Sequence, residues 1–105
     1  MQIMQKAQQV QKDMENLQND MKLQHFESTS GGGLVKITMN GAYDIKDIHI
    51  DDNIVNLEEK TMMVDLIIAS YNECKRKVKE ETDKKMQELT SGLPLPTGMK
   101  IPGMF

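Results

Sequence analysis

Ile3, Ala7, Val10, Met14, Leu17 and Met21 follow one another at spacings of four, three, four, three and four residues. That is the a/d seam of a heptad pattern, set in a segment dominated by Gln, Lys, Asp, Glu and Asn. A helix of about 24 residues is roughly 36 Å long, and one narrow apolar stripe is all it has to bury. Such a helix is not stable by itself, so a second helix must come from the same chain or from another. The chain is therefore expected to be built around a long helix-on-helix contact, with its function carried by what the helices expose.

The remaining residues limit what that contact can be attached to. A chain of 105 residues allows one domain with a modest core. Phe26, Tyr43, Tyr71 and Phe105 are the only aromatics, whereas there are ten Met, so the core is aliphatic and thioether. Cys74 is the single cysteine, which excludes an internal disulfide and points to a reducing compartment. The longest strongly apolar run, Leu66-Ile67-Ile68-Ala69, is far too short to span a bilayer. The Gln-rich N-terminal segment has no hydrophobic signal region. An intracellular, soluble chain without a membrane partner is expected, unless a targeting peptide has been removed.

Four parts follow along the chain. The first helix is expected from about Gln2 to Gln24, then a short strand at 25–30 and the connection Gly31-Gly32-Gly33. Leu34 to Met39 alternates, with Val35, Ile37 and Met39 on one face. Asn40-Gly41 reads as a two-residue hairpin, and the returning strand as Tyr43 to Ile50. Its apolar phase changes at Lys46-Asp47, the mark of a bulge, a strong twist or two covered faces. Asn56, with Glu59 three residues on, reads as a helix N-cap.

From Leu57 to about Ser91 the pattern is helical, with Met63, Leu66 or Ile67, Ser70, Cys74, Val78, Met86 and Leu89 along one side, and Gly92 stops it. At roughly 50 Å this second helix outruns a small domain, so its far half is expected to project and pair with the first helix. Its near half, Met62 to Ala69, is apolar nearly all round and is expected on the sheet and against a second subunit. Residues 1–92 thus form one unit. The Pro-rich segment 93–105 cannot be helical, and is apolar enough to pack onto the sheet or a partner.

Three stretches, Gln5 to Met14, Gly31 to Gly41 and Ile48-His49-Ile50-Asp51, resemble the YbaB/EbfC family of nucleoid-associated proteins. The ending Gly92-Leu93-Pro94-Leu95-Pro96-Thr97-Gly98-Met99-Lys100-Ile101-Pro102 is similar to that family's Pro-rich C-terminus. The resemblance runs nearly end to end and keeps the order of its four pieces. It implies an α+β fold, an α-β-β-β-α chain whose two long helices flank a small antiparallel meander. It further implies a tweezer-like homodimer joined through sheet and helix surfaces, with Val35, Ile37, Met39, Met63, Leu66 and Ile67 as its core and dimer residues. Duplex DNA is the implied partner, bound with little or modest sequence preference. Compaction, transcription regulation and a nucleoid location, bacterial or organellar, follow from the same resemblance.

The charges must be able to do this. The net charge is −3, so distribution matters more than the total. Residues 1–57 hold five Lys against eight acids, and residues 58–105 are balanced at eight against eight. Within that second half, Lys75, Arg76, Lys77 and Lys79 fall in a run of six residues. With Lys6, Lys12 and Lys22 of the first helix they are the candidate phosphate contacts, although the run is equally readable as a solvated helix face. No aromatics interleave with these cations, and no helix-turn-helix or zinc-finger pattern occurs, which argues against single-strand stacking and a strict base code.

Catalytic constellations are missing from the sequence. His25 and His49 flank no Cys or Ser at a useful spacing and read as surface or capping residues. Cys74 falls on the apolar side of its helix and reads as a small buried hydrophobe. Asp51-Asp52 and Glu58-Glu59 lack the alternating spacing of a calcium loop. Gly31-Gly32-Gly33 is followed by no Lys-Ser/Thr. Neither an enzyme, a metal, a cofactor nor a small-molecule substrate is expected. Two other classes stay open: a prefoldin-like coiled-coil holdase, which a Met-rich seam would suit, and a structural scaffold dimer, which the acidic balance favours.

Overall fold

The computed structural model describes residues 2–90, with side chains from Ile3 to Leu89. Helix α1 (Gln2–Leu23) leads into strands β1 (His25–Ser30), β2 (Val35–Asn40) and β3 (Ile45–Ile50). A single 3-10 turn (Asp52–Ile54) then precedes helix α2 (Lys60–Thr90). The sheet is an antiparallel meander of order β1-β2-β3, so the fold is the α-β-β-β-α arrangement expected. The expectations for Gly92 and for the segment 93–105 lie outside the described residues.

Alternation in β2 decides where the core sits. Val35, Ile37 and Met39 are fully buried on one face, and Lys36 and Thr38 are half-buried on the other. Helix α2 lies over the apolar face above β1 and β2. Near its start, Val35, Ile37 and Ile54 pack with Leu34, Ile50, Met63, Leu66 and Ile67. Farther along, Leu17, Met21, Met39, Cys74, Val78 and Met86 join α1 to α2, with Met14, Phe26, Tyr43 and Leu89 around them. The small, fully buried Ser70 lets the helix approach the sheet. Its hydroxyl donates to Ser30 Oγ at 2.7 Å, and Ser30 Oγ donates to the Leu66 carbonyl at 2.6 Å.

The change of phase in β3 is a bulge. Val35 pairs with Ile50, Ile37 with Ile48 and Thr38 with Asp47, yet Met39 pairs with Ile45. Lys46 is the extra residue, and because of it Ile45, Ile48 and Ile50 all fall on the inner face. Since α2 covers β1 and β2 rather than β3, Ile45 and Ile48 remain exposed on that face.

Three expectations need correction. Asn40-Gly41 does not form a two-residue hairpin: residues 41–44 make the connection, and β3 begins at Ile45, not Tyr43. Asn40 Oδ1 accepts the amides of Ala42 (2.9 Å) and Asp44 (3.0 Å), while Tyr43 takes the left-handed conformation, φ 67°. Second, the α1 seam is only partly used. Leu17 and Met21 are buried, but Val10 is half-buried, Ala7 exposed and Ile3 84% exposed. Third, α2 begins at Lys60 rather than Leu57, because Asp51 caps a 3-10 turn of its own by accepting the Asn53 amide at 2.8 Å. Asn56 does cap the helical turn that follows, accepting the Glu59 amide at 2.8 Å.

Candidate nucleic-acid interface

The cationic run of α2 lies just past Cys74, whose side chain is sunk against the sheet. Its four members have different surroundings. Arg76 is held between Glu73 and Glu80, one turn away on either side, with its Nε 3.0 Å from Glu73 and its terminal nitrogens paired with both carboxylates. Its hydrogen bond draws the Glu73 carboxyl below the ordinary range, and Glu73, then Glu80, hold the guanidinium further above its own. These three exposed side chains sum to one negative charge. Lys77 is anchored instead, donating to the Glu27 carbonyl of β1 at 2.8 Å.

Lys75 and Lys79 differ from both. Each is exposed, with no hydrogen bond or ion pair among the described residues. They continue a row begun by Val64 and Ile68, since spacings of four, seven and four residues keep all four on one flank of a helix. Val64 and Ile68 are exposed too, at 41% and 53%. One flank of α2 is therefore apolar at its base and basic beyond.

On α1, Lys6, Lys12 and Lys22 are all exposed. They stand six and ten residues apart, which turns them onto different faces at about 100° per residue, so they form no single row. Between the helices a groove is lined by Asp13, Asn16, Leu17, Asp20, Lys85, Glu88 and Leu89. Lys85 bridges it, donating to Gln24 Oε1 at 3.0 Å.

The other candidates stay apart from this surface. His25 and His49 are exposed on the sheet. Among the described residues no three His, Cys, Asp or Glu side chains are grouped to hold a metal, and no helix is long and apolar enough to cross a membrane. Cys74 is fully buried, with Sγ 3.3 Å from the Phe26 carbonyl, and burial pushes its thiol up. A thiol reagent at pH 8 is accordingly expected to label Cys74 at least about a hundredfold faster in denaturing urea than in the folded chain. Comparable rates would show the thiol to be open.

A family model described as the YbaB/EbfC DNA-binding family matches residues 1–93, which takes in both helices and the whole sheet. The chain belongs to the YbaB/EbfC family. It is 41% identical over 100 residues to a nucleoid-associated protein of Bartonella bacilliformis, 95% of this chain and 93% of that one. A nucleoid-associated protein of Bordetella avium is 42% identical over 100 residues, 95% and 92% of the two chains. The crystal structure of a Helicobacter pylori protein matches with a TM-score of 0.74 at 26% identity, covering 81% of this chain and 89% of that one.

Within this YbaB/EbfC chain, several features escaped the sequence reading. Glu73 and Glu80 flank Arg76 at three and four residues, a spacing that was available as a signal. Thr82 is buried in the row of Cys74, Val78 and Met86, but a polar residue carries no mark of burial. Val55 and Leu57 are exposed, Leu57 at 90%, and nothing local distinguishes them from core residues.

Proposed function

We propose that this chain is a nucleoid-associated protein that binds duplex DNA as a homodimer, with little or modest sequence preference. It thereby contributes to DNA compaction and transcription regulation. The observation that carries the reading is the flank of α2 that runs from Val64 and Ile68 to Lys75 and Lys79. Further uncovered apolar side chains are Ile45 and Ile48 on the inner face of β3, and Val55 and Leu57 before the helix. A surface of that extent fits a second copy of the chain. Two copies joined there carry their free lysines onward along the two α2 helices, toward the space between the projecting pairs.

Family membership and the relatives' names support DNA as the partner, and a nucleoid location with it. Residues 1–92 form the DNA-binding and dimerisation unit in this reading. Phosphate contacts come from Lys75 and Lys79 first, with Lys77, Arg76, Lys6, Lys12 and Lys22 adding to the surrounding field.

The test is fluorescence anisotropy of a labelled duplex of about 30 base pairs at 50 and 200 mM salt. With three or four phosphates met per subunit, log Kd is expected to rise with log salt at a slope of about 5 to 7. Absence of binding at 50 mM salt overturns the reading. Ile68→Asp is expected to yield a folded monomer in light scattering, with affinity at least about tenfold weaker because half the cations leave the complex. A persistent dimer would remove Ile68 from the interface. Ile3 and Met4, exposed at the start of α1, favour holdase action as a second reading. Suppression of client aggregation by a chain that ignores DNA would establish it.

A further inference from the structure

The two outer edges of the sheet are treated differently. Along β1, the Glu27 carbonyl accepts from Lys77 Nζ at 2.8 Å, so a side chain of α2 occupies part of that edge. Along β3 every residue but Ile50 is exposed. Among the described residues, no hydrogen bond beyond the pairing with β2 reaches Ile45, Ile48 or Ile50. Which backbone groups face outward follows from the ladder. The Asp51 amide donates to the Leu34 carbonyl at 2.8 Å, and past the bulge the Asn40 amide donates to the Asp44 carbonyl at 2.9 Å. Successive residues of an antiparallel strand alternate between turning both groups toward a neighbour and turning both away. Asp47 and His49 therefore face β2, while Ile45, Ile48 and Ile50 present their N–H and C=O groups to the open edge. A six-residue edge of this kind, without a Pro, is a template for another strand.

We propose that β3 pairs antiparallel with β3 of a second copy about a two-fold axis at Ile48, joining the two meanders into one continuous sheet. The inference rests on the homodimer proposed above and specifies how its two sheets meet. One register satisfies both faces. With Ile48 opposite the partner's Ile48, Ile45 stands opposite the partner's Ile50, and Lys46 remains the extra residue of each strand. Every isoleucine of the two strands then pairs with another on the inner face, through residues whose backbone groups face the open edge. On the outer face Asp47 stands opposite the partner's His49, and His49 opposite the partner's Asp47, so each carboxylate meets an imidazole able to donate to it. Other registers lose the match. A slip of one residue sets isoleucines against outer-face side chains and misaligns the hydrogen-bonding groups. Ile48 opposite the partner's Ile50 sets Asp47 against the partner's Asp51 and His49 against the partner's His49. Ile48 opposite the partner's Ile45 leaves Ile50 beyond the end of the partner's strand.

The test joins cross-linking with hydrogen exchange, both in the full chain. Asp47→Cys chains and His49→Cys chains, each with its own affinity tag, are mixed and gently oxidised, Cys74 being buried. Opposed residues whose backbone groups turn away from each other have Cα atoms about 4.5 Å apart, within reach of a disulfide. The mixture is expected to give at least about ten times more disulfide-linked dimer than either chain alone. Linkage that is as strong among His49→Cys chains alone overturns the register. In the unaltered chain, the Ile48 amide is expected to exchange at least about a hundredfold more slowly than that of Thr29, each referred to its unfolded rate. Thr29 is the control because it faces the open edge of β1: its partner Lys36 turns its own groups toward β3. Equal protection of the two amides overturns the pairing, whichever way the cross-linking falls. Light scattering separates this inference from the reading beneath it. A dimer without the protection overturns the β3 pairing alone, and a monomeric unaltered chain overturns the homodimer with it.

Discussion

Replacing Gly41 by alanine is expected to lower the unfolding free energy by about 2–4 kcal/mol, the sum of an overpacking cost and a lost hydrogen bond. A Cβ at Gly41 would stand 2.4 Å from the Met21 carbonyl oxygen, 2.6 Å from Met21 Cβ and 2.8 Å from its carbonyl carbon. Two of those atoms belong to helix backbone, which cannot step aside as a flexible side chain does. The Gly41 amide also donates to the Met21 carbonyl at 2.8 Å, an oxygen at the end of α1 that accepts the Gln24 amide at 3.1 Å as well. Pushing the connection away from the helix therefore loses the contact and the bond together. The check is urea denaturation at fixed protein concentration, where the midpoint falls and the m-value does not change. Gly32→Ala is the control. It takes a φ of 69° but meets nothing within 4 Å, so backbone strain alone acts, at about 1–2 kcal/mol. If Gly41→Ala left the midpoint where it was, α1 would not rest on this connection.

The second large effect is on DNA. Lys75→Gln with Lys79→Gln removes four free cations from the proposed dimer, so the salt slope is expected to shrink by about 3 to 4 and affinity at 50 mM salt to fall at least about tenfold. Arg76→Gln is expected to change the slope by less than about one, because Glu73 and Glu80 already take up the guanidinium. The two variants, measured on one duplex across a salt series with the dimer confirmed by light scattering, separate a free cation from an engaged one. Equal losses would show that Arg76 leaves its carboxylates for phosphate, and would move the contact row around the helix.

Much of this architecture could be read from spacing because its elements obey local rules. The alternation of Val35, Ile37 and Met39 gives the buried face of β2, and the four-residue steps Ser70, Cys74, Val78 give the buried row of α2. The change of phase between Ile45 and Ile48 was legible too, but the register was needed to choose the bulge at Lys46 over a strong twist or two covered faces. What stayed hidden depends on contacts between distant segments. Gly41 looks like a turn glycine, yet it is needed for close approach to Met21, twenty residues earlier. Lys77 looks as free as Lys79 until β1 is in place and the Glu27 carbonyl lies within reach. The seam of α1 looks uniform along its length, and nothing in it says where α2 stops accompanying it. The basic run is visible in the sequence, but free and engaged cations could be told apart only once each neighbour was in position.

The hydrogen bond from Gly41 to Met21 has a mechanical consequence as well as an energetic one. It sits at one end of a 22-residue helix, about 33 Å of stiff rod, whose opposite end has few supports among the described residues. A rod held near one end is a lever. Tilting it by about 10° at the fulcrum sweeps its tip through roughly 6 Å, about the width of a DNA minor groove. In the proposed dimer, a displacement at the sheet too small to disturb the core would be magnified at the tip of α1, where a duplex would be gripped.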